Sequence, residues 1–437
     1  SLLVAYAVHS GVVLVTRALP IERRAAESIQ IVVDLALHVW LTSITCMAVL
    51  TAFATFLIVL TLWTRREAPA WILSITFIML AKDYVPFSFG SYTYYREFNI
   101  YLYNSIKILN ICIALCRRRS SSSSSSALSP FAALHYLAYL PYSMTLIVRL
   151  EEFEQQLRER EVAACEGRGR CPLPRIWEAL RLLFWFVLFD AVLHVIPVNA
   201  VFASPFSLIA GLNGYELSSI AYVAGQYFHV KYVVIFGVPA LFARIDGMFP
   251  PAPPICISRV SRYSRMWRHF DAGLYSFLKH QVYIPILSNP TLRWLARPLA
   301  AFAAFGVVLA WHGTQTRYVC WVALSAFELM VEWIGGVIWS TLSFQRFRTS
   351  IGELFTRRLV AFGMLMTVIP GIFGVFFFLG QEGIGLTIFQ NVLVDGLKQI
   401  ATLQISVKDG VPSAGLVFLH LMFLGYFFNH VCLDYEH

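Results

Sequence analysis

The sequence predicts an all-helical protein that crosses a membrane many times. Of its 437 residues, 58% are hydrophobic and 14% are charged, whereas soluble domains carry about 25% charged residues. Apolar windows long enough for a spanning helix, at least about 18 residues, recur along the whole chain. The short alternating segments of a transmembrane barrel do not occur in the sequence. We therefore expect an all-α fold with about ten to twelve membrane segments.

The first half of the chain contains most of the predicted spans. The chain opens at Ser1 without an initiator methionine, directly in an apolar run over residues 1–16, which is compatible with a truncated N-terminus. Residues 31–63 are long enough for one tilted helix or two short ones. Further spans are predicted at residues 71–89, 100–116, 131–148, 177–204 and 206–225.

The second half of the chain adds one apolar segment that is too short to cross the membrane. Residues 227–242 are apolar but interrupted by Gly237 and Pro239, so we expect a re-entrant element that lines a cavity. The next span, 318–344, carries Glu328 and Glu332, four residues apart and hence on one helical face. The remaining apolar segments are 359–379, 386–394 and 416–428.

The charged residues indicate orientation rather than a second domain. The net charge is +9, and in a membrane protein such an excess is typical of cytoplasmic loops. Residues 149–175 form the most polar segment, predicted to be a cytosolic helix and loop. Nucleic-acid binding would need a basic soluble domain, which the sequence lacks. We expect a single membrane-embedded domain over 1–437.

The eight cysteines do not form a recognisable framework. They are scattered, several lie inside apolar segments, and no CxxC or histidine-rich spacing occurs, so a zinc site is disfavoured. Cys165 and Cys171 flank a loop rich in glycine and arginine, where free thiols are favoured over a disulfide.

Residues 226–313 are the stretch in which chemistry is expected. Ionisable groups are crowded there between hydrophobic segments, and an apolar helix then ends in Trp311-His312-Gly313. Charged groups near a bilayer are costly and tend to face a cavity or a pathway.

His312 and Asp271 are the candidate catalytic residues of this stretch. The apolar run before His312 spans about 21 Å at 1.5 Å per residue, less than the roughly 30 Å hydrocarbon core. His312 can thus lie within the membrane and act as a general base; the alternative is a histidine at the interface. Asp271, between aromatic residues, could orient a histidine or form a salt bridge with Arg268.

Four arginines and one cysteine are candidate ligand-binding residues. Arg259, Arg262, Arg265 and Arg268 recur at every third position, which on a helix gives one broad basic face. That face suits phosphates, either of lipid headgroups or of a nucleotide-bearing ligand such as coenzyme A. Cys256, in PPAPPICIS, could ligate haem or carry a lipid, or have no such role.

The pattern of this stretch resembles a known family. From Lys231 to Pro285 the chain matches KYxVxFGVPALxxRxDGxxPPAxPxCxS followed by MWRxFDxGLxxFLxxxVYIP, and WHG follows at 311–313. These motifs are similar to those of the membrane-bound O-acyltransferase superfamily, and within it of the hedgehog acyltransferases. The resemblance is strong from about 226 to 313 and weaker elsewhere.

The resemblance implies a helical membrane enzyme with a central tunnel. By position, His312 would be the catalytic histidine and Asp271 its acidic partner. Trp267 and Arg268 would line the acyl-CoA site, and the guanidinium groups of Arg265 and Arg262 would help to hold the phosphates. Cys256 matches the cysteine that ligates haem b in the family.

The expected reaction is transfer of palmitate from palmitoyl-CoA to the N-terminal cysteine amine of a secreted hedgehog-like signalling protein. Residence in the endoplasmic reticulum membrane, with the Golgi as the second choice, follows from the same resemblance. The alternatives are a lipid or serine O-acyltransferase of the same superfamily and a catalytically silent membrane regulator. A transporter is disfavoured because inverted repeats are not visible.

Overall fold

Helices dominate the computed structural model of the chain. It describes residues 1–84, 91–120, 128–165, 173–198, 200, 207, 209, 211–257, 260, 262–380, 383–408 and 410–436. Strands occur among these residues only as a two-stranded antiparallel hairpin, β1 (Val407–Lys408) and β2 (Val411–Pro412). The predicted all-α fold class is confirmed.

Among the described residues, nine α-helices lie before the predicted catalytic stretch or lead into it. They are α1 Leu2–Ala18, α2 Arg23–Leu41, α3 Ile44–Thr64, α4 Glu67–Tyr84, α5 Ser91–Ser120, α6 Pro130–Ala138, α7 Leu150–Cys165, α8 Leu173–Val195 and α9 Gly214–Ile245. A 3-10 turn, Leu140–Tyr142, follows α6.

Ten further α-helices complete the described part of the chain. They are α10 Tyr263–Phe270, α11 Ala272–Phe277, α12 Ile284–Leu287, α13 Ala296–His312, α14 Thr316–Ser340, α15 Leu342–Gly363, α16 Leu365–Leu379, α17 Ile384–Ile388, α18 Asp395–Ala401 and α19 Ala414–Glu436. Segments of π-helix, Leu278–Tyr283 and Phe389–Val394, join α11 to α12 and α17 to α18, and a 3-10 turn, Arg293–Leu295, precedes α13.

Six helical segments of the described chain are long and apolar enough to cross a membrane. They are Ile44–Thr64, Tyr95–Arg118, Gly214–Ile245, Thr316–Ser340, Leu342–Leu379 and Ala414–Asp434. Three shorter apolar helices accompany them: Leu2–Ala18, Glu67–Ala81 and Ala296–His312. The chain is therefore a multi-pass membrane protein.

The chain divides into two compact units. The first unit comprises Ser1–Phe184, Val233–Pro253 and Asp271–Trp311. The second unit comprises Trp185–Tyr232, Pro254–Phe270 and His312–His437. Each unit is described separately below.

The first unit has an aromatic core around α5. Tyr101 of α5 is fully buried, as are Tyr136, Tyr139, Tyr142 and Phe153. Tyr139, Tyr142 and Phe153 pack against one another with ring centroids 4.9 to 6.3 Å apart. The polar groups among them are paired, as expected for a buried hydroxyl: Tyr136 donates to the Val148 carbonyl at 2.6 Å.

The second unit is built on helices α14, α16 and α19. Its buried core includes Phe373 and Phe376 of α16 and Val417 of α19. α16 packs against α14 at Gly374, where a Cβ would lie 3.6 Å from the Trp321 ring, an ordinary van der Waals distance. Packing of this kind, through small residues, is common between membrane helices.

The long apolar segment predicted over 31–63 forms two helices. α2 ends at Leu41 and α3 begins at Ile44. The Ser43 side chain accepts a hydrogen bond from the Cys46 backbone N–H at 3.1 Å, which satisfies one of the free donors at the start of α3. The Ser43 hydroxyl group therefore fixes the start of α3, which the hydropathy of the sequence does not determine.

The interruption predicted at Gly237 and Pro239 is wrong. Residues 227–242 belong to α9, one continuous helix over Gly214–Ile245, so they are not a separate re-entrant element. Gly237 instead permits close packing, since a Cβ there would lie 2.4 Å from a Leu182 methyl group. Pro239 removes one backbone donor, and the remaining hydrogen bonds of this long helix outweigh that loss.

Candidate active site

His312 lies in a pocket of aromatic rings in the second unit. Its imidazole centroid is 5.1 Å from the Phe378 ring, 5.2 Å from the Trp321 ring and 5.9 Å from the Tyr318 ring. The Trp321 and Phe378 contacts are nearly perpendicular, at 88° and 82°, an arrangement that aromatic rings favour. Three rings therefore set the position of the imidazole.

The turn after His312 brings α14 back to this pocket. Gly313 has a φ of +108°, a backbone conformation that glycine adopts at little cost and that commonly ends helices. α14 then begins at Thr316, and Tyr318 and Trp321 are three residues apart on it. Both side chains therefore face the same side of the helix.

The imidazole nitrogens are available for chemistry. No hydrogen bond joins them to another residue in the part of the chain that the structure describes, and the side chain is half-buried. A histidine whose ring nitrogens are not engaged can exchange a proton with a bound substrate.

Trp267 belongs to the same aromatic cluster. The Trp267 and Trp321 rings stack, with centroids 5.7 Å apart and an interplanar angle of 26°. Trp321 thus contacts Trp267 on one side and His312 on the other. The structure therefore brings together two of the residues that the sequence singled out.

The basic helix predicted from the arginine spacing is shorter than expected. α10 covers only Tyr263–Phe270, so Arg265 and Arg268 lie on it and Arg262 precedes it, while Arg259 lies outside the described residues. Arg262 and Arg268 are exposed and Arg265 is half-buried. The prediction of one helix with four arginines on a single face is therefore wrong.

The start of α10 is fixed by Glu332 of α14. Its carboxylate accepts hydrogen bonds from the backbone N–H groups of Tyr263 and Ser264, the latter at 3.1 Å. A carboxylate at a helix N-terminus satisfies free donors and complements the helix dipole. Glu328, on the same face as predicted, also lies beside Tyr263. The two acidic residues therefore face the same helix.

Asp271 lies in the first unit and caps α11. Its Oδ1 accepts a hydrogen bond from the Leu274 backbone N–H at 2.9 Å. Close packing holds this segment, because a Cβ on Gly273 would lie 2.3 Å from the Ile147 carbonyl oxygen. Burial raises the pKa of the Asp271 carboxyl to about 6, although the backbone donors favour the ionised form. Its pairing with His312, a residue of the second unit, stays a prediction.

The raised pKa of Asp271 predicts an unusual stability profile for Asp271→Asn. Because the folded pKa lies above the ordinary 3.8, wild-type stability should increase as pH falls from about 6 towards 4. Asparagine is an equally good cap and is never charged. We expect the variant to be more stable than wild type at pH 7, by at most about 3 kcal/mol, with the difference shrinking below pH 5.

Thermal unfolding in detergent across this pH range measures the effect. Asp271→Ala is the control, since it also removes the charge but loses the cap, at a cost of about 1 kcal/mol. A difference between wild type and Asp271→Asn that does not change with pH would contradict the account.

Cys256 presents a free thiol in the second unit. It is half-buried and unpaired by any disulfide in the described chain. The described residues contain no group of three or more histidine, cysteine or acidic side chains that could hold a metal ion. Haem needs only one or two axial ligands, so one cysteine side chain is sufficient to hold that cofactor.

A buried ionic network in the first unit escaped the sequence reasoning. His9 lies between two carboxylates, with Nδ1 2.5 Å from Asp34 Oδ1 and Nε2 2.7 Å from Asp246 Oδ2. Asp246 also accepts from Ser10 at 2.7 Å and from Tyr139 at 2.9 Å. The sequence does show one ionisable residue inside each of two helices, His9 in α1 and Asp34 in α2. It does not show that His9 contacts Asp246, because the two residues are 237 positions apart in the chain.

Comparison with known proteins identifies the family. The family model described as MBOAT, membrane-bound O-acyltransferase family, matches residues 29–375. The chain belongs to the membrane-bound O-acyltransferase family. The matched range includes His312, Asp271, Trp267 and Cys256.

Two protein-cysteine N-palmitoyltransferases are similar to the chain over part of their length. The chain is 34% identical to the protein-cysteine N-palmitoyltransferase HHAT of Mus musculus over 200 residues, which are 46% of this chain and 39% of that protein. It is 27% identical to the protein-cysteine N-palmitoyltransferase Rasp of Drosophila melanogaster over 275 residues, 62% of this chain and 53% of that protein. The matches thus span about two fifths to one half of these relatives.

A more distant match has a less specific name. The membrane-bound O-acyltransferase GUP2 of Saccharomyces cerevisiae (strain ATCC 204508 / S288c) is 25% identical over 220 residues, 49% of this chain and 34% of that protein.

Proposed function

We propose that this protein is an N-acyltransferase that transfers palmitate from palmitoyl-CoA to the N-terminal cysteine amine of a secreted hedgehog-like protein. The observation that carries the proposal is His312, a histidine with unengaged ring nitrogens at the centre of an aromatic pocket. The names of the two relatives, both protein-cysteine N-palmitoyltransferases, support palmitate as the acyl group and a protein cysteine as the acceptor.

The proposed reaction replaces a thioester by an amide. The neutral amine attacks the thioester carbonyl, and His312 takes the proton that the nitrogen loses. As the tetrahedral intermediate collapses, the C–S bond breaks and the thiolate of coenzyme A takes that proton from the imidazolium. The net products are the amide and free coenzyme A, so atoms and charges balance.

The other predicted residues would position the reactants. Asp271 would orient and polarise the catalytic imidazole, as acidic partners of histidine bases do. Trp267 would line the acyl-CoA site. Arg262, Arg265 and Arg268 would bind the phosphates of coenzyme A through charge-assisted hydrogen bonds.

The membrane arrangement follows the same proposal. Residues 226–313 would form the catalytic core around a central tunnel, and 149–175 would face the cytosol. Palmitoyl-CoA would enter from the cytosolic side and the acceptor from the lumen of the endoplasmic reticulum, or of the Golgi. A catalytic site within the membrane suits such a reaction, because the donor would reach it from one side and the acceptor from the other.

Cys256 is proposed to ligate haem b through its thiolate, on the family resemblance. When bound, the haem would supply a planar iron cofactor next to the proline-rich segment that precedes α10; no step of acyl transfer passes through it. We expect purified protein to show a Soret band, and Cys256→Ser to lose most of it. The measurement is the ratio of haem absorbance to protein.

Cys320, another free and half-buried cysteine, provides the matched control for haem binding. Cys320→Ser should keep the Soret band at the wild-type ratio. A band that survives Cys256→Ser unchanged would show that another residue holds the haem.

A transfer assay tests the proposed activity. Purified protein is incubated with labelled palmitoyl-CoA and a peptide that begins with cysteine, beside the same peptide with an acetylated amine. The proposal predicts label on the free-amine peptide alone. Label on added lysolipid, or on a serine-bearing peptide, would instead favour an O-acyltransferase, the class named for the yeast relative. Absence of transfer to every acceptor would favour a silent regulator.

A further inference from the structure

A single guanidinium group joins the ends of two helices beside His312. Arg317 is the second residue of α14, and its side chain is half-buried. Each of its three nitrogens donates a hydrogen bond: Nε to Gln315 Oε1 at 2.9 Å, Nη1 to the Gly380 carbonyl at 2.9 Å and Nη2 to the Tyr318 hydroxyl oxygen at 3.0 Å. These acceptors are neutral oxygen atoms, so the contacts fix the geometry and do not form an ion pair.

The bond to Gly380 ties α14 to the end of α16. Gly380 is the residue that follows α16, where the last carbonyl groups of a helix have no partner within it and a cation is favourable. Phe378 lies two positions earlier, in the last turn of α16. The contact between Arg317 and Gly380 therefore fixes the place of the Phe378 ring relative to α14.

Arg317 also holds the Tyr318 ring. The guanidinium carbon lies over this ring, 4.5 Å from its centroid, an arrangement in which the cation attracts the ring. The bond from Nη2 fixes the hydroxyl end of the same side chain. The ring also lies against the turn after His312, where a Cβ on Gly313 would be 3.7 Å from Tyr318 Cδ2. Two contacts with one guanidinium thus restrict the rotation of Tyr318.

Tyr318 and Phe378 are two of the three rings around the His312 imidazole. Their centroids are 5.9 Å and 5.1 Å from it, and the two rings pack against each other at 5.9 Å. The third ring, Trp321, packs on Phe378 at 4.6 Å. The position of the imidazole therefore depends on rings that Arg317 holds, directly at Tyr318 and through the end of α16 at Phe378.

We propose that Arg317 is a positioning residue: it fixes the His312 imidazole by holding two of the three rings that surround it. This inference rests on the proposed function, which gives the imidazole a reaction to be positioned for. Arg317 acts through other side chains and takes no part in the chemical step. A displacement of about 1 Å at a reacting group can cost about a hundredfold in rate, so a residue that supports the base from behind has a large effect.

Steady-state kinetics of Arg317→Ala test the proposal. Alanine favours helix at this position and removes the three hydrogen bonds together with the contact over the Tyr318 ring. We expect kcat for palmitoyl transfer to the cysteine peptide to fall about tenfold to a hundredfold. KM for both substrates should stay near the wild-type value, because the variant displaces the base and not the substrates. A rise in KM at unchanged kcat would show that Arg317 binds a substrate, which overturns the proposal.

Tyr318→Phe tests the same contact with a variant that keeps the ring. It removes only the hydroxyl that accepts from Arg317, so the protein should fold even if Arg317→Ala yields little folded material. We expect a smaller fall in kcat, and no further fall when this change is added to Arg317→Ala, since both remove the same bond. A wild-type kcat in Tyr318→Phe, or additive effects of the two changes, would contradict the proposal.

The chemical reactivity of His312 measures its position without the enzymatic reaction. Diethyl pyrocarbonate modifies accessible imidazole groups, and mass spectrometry of the full chain gives the rate at each histidine. In Arg317→Ala, His312 should be modified severalfold faster than in wild type, because loosened rings leave the site open for a larger share of the time. His194, an exposed side chain, is the internal reference and should react at one rate in both proteins.

Arg346→Ala is the matched control, since it removes an exposed arginine of α15. It should leave kcat, KM and the reactivity of His312 unchanged. Wild-type values of kcat and of His312 reactivity in Arg317→Ala would overturn the inference and leave the proposed function intact. Conversely, if wild type transfers no palmitate while Arg317→Ala makes His312 more reactive, the proposed activity is wrong and the positioning of His312 by Arg317 still holds.

Discussion

Replacing His312 by alanine is expected to abolish palmitoyl transfer while the protein still folds. General-base catalysis contributes roughly 10²- to 10⁴-fold to a rate, so transfer should fall by at least a hundredfold. Stability should change little, because no hydrogen bond of the imidazole within the described chain is lost and the aromatic contacts with Trp321 and Phe378 are partly exposed. The measurement is the initial rate with labelled palmitoyl-CoA and a cysteine peptide, normalised to monodisperse protein.

His194→Ala is the control for this variant. His194 is an exposed histidine of α8 whose hydrogen bond is to the Asp190 carbonyl of its own helix, so its loss should leave transfer at the wild-type rate. A His312→Ala protein with more than about a tenth of wild-type activity would exclude His312 as the general base.

Replacing Asp246 by alanine is expected to be the most destabilising change in the first unit. The Asp246 side chain accepts from His9, Ser10 and Tyr139, and its removal leaves all three buried donors without this acceptor. Breaking one side of a buried ion pair costs about 3–5 kcal/mol. We expect a marked loss of folded protein and a lower midpoint of thermal unfolding in detergent.

The loss of stability expected for Asp246→Ala depends on the burial of this side chain. Asp190→Ala removes the same charge from an exposed side chain of α8 and should change the midpoint little, as surface charges do. If Asp246→Ala unfolds at the same temperature as Asp190→Ala, the network does not stabilise the first unit.

The features that the sequence predicted well are those set by neighbouring residues. Helix periodicity alone places Glu328 and Glu332 on one face of α14, and the structure shows them facing the same helix. The Trp311-His312-Gly313 motif predicts a helix that ends on the histidine, because glycine tolerates the positive φ observed at Gly313.

The features that could not be predicted depend on distant residues. Asp246 was visible as a charge among apolar residues, but its partner His9 is 237 residues away in the chain and Tyr139 is 107 away. Likewise, the arginine spacing suggested a long basic helix, whereas the helix starts at Tyr263, whose backbone N–H donates a hydrogen bond to the Glu332 carboxylate, 69 residues further on.

The error at Gly237 and Pro239 has the same origin. Both residues weaken an isolated helix, which is the property that sequence reasoning uses. In the folded first unit Gly237 makes room for Leu182, so the residue that appeared to end a helix allows it to pack. Tertiary contacts thus decide the outcome where local preference is ambiguous.

The position of the acyl group on the product tests the central claim most directly. Wild-type protein is incubated with palmitoyl-CoA and a cysteine peptide, and the product is mapped by tandem mass spectrometry before and after hydroxylamine, which cleaves thioesters and spares amides. The account predicts palmitate on the α-amino nitrogen, resistant to hydroxylamine and absent with His312→Ala. Palmitate only on a side-chain oxygen or on lipid, or equal product from His312→Ala, would contradict it.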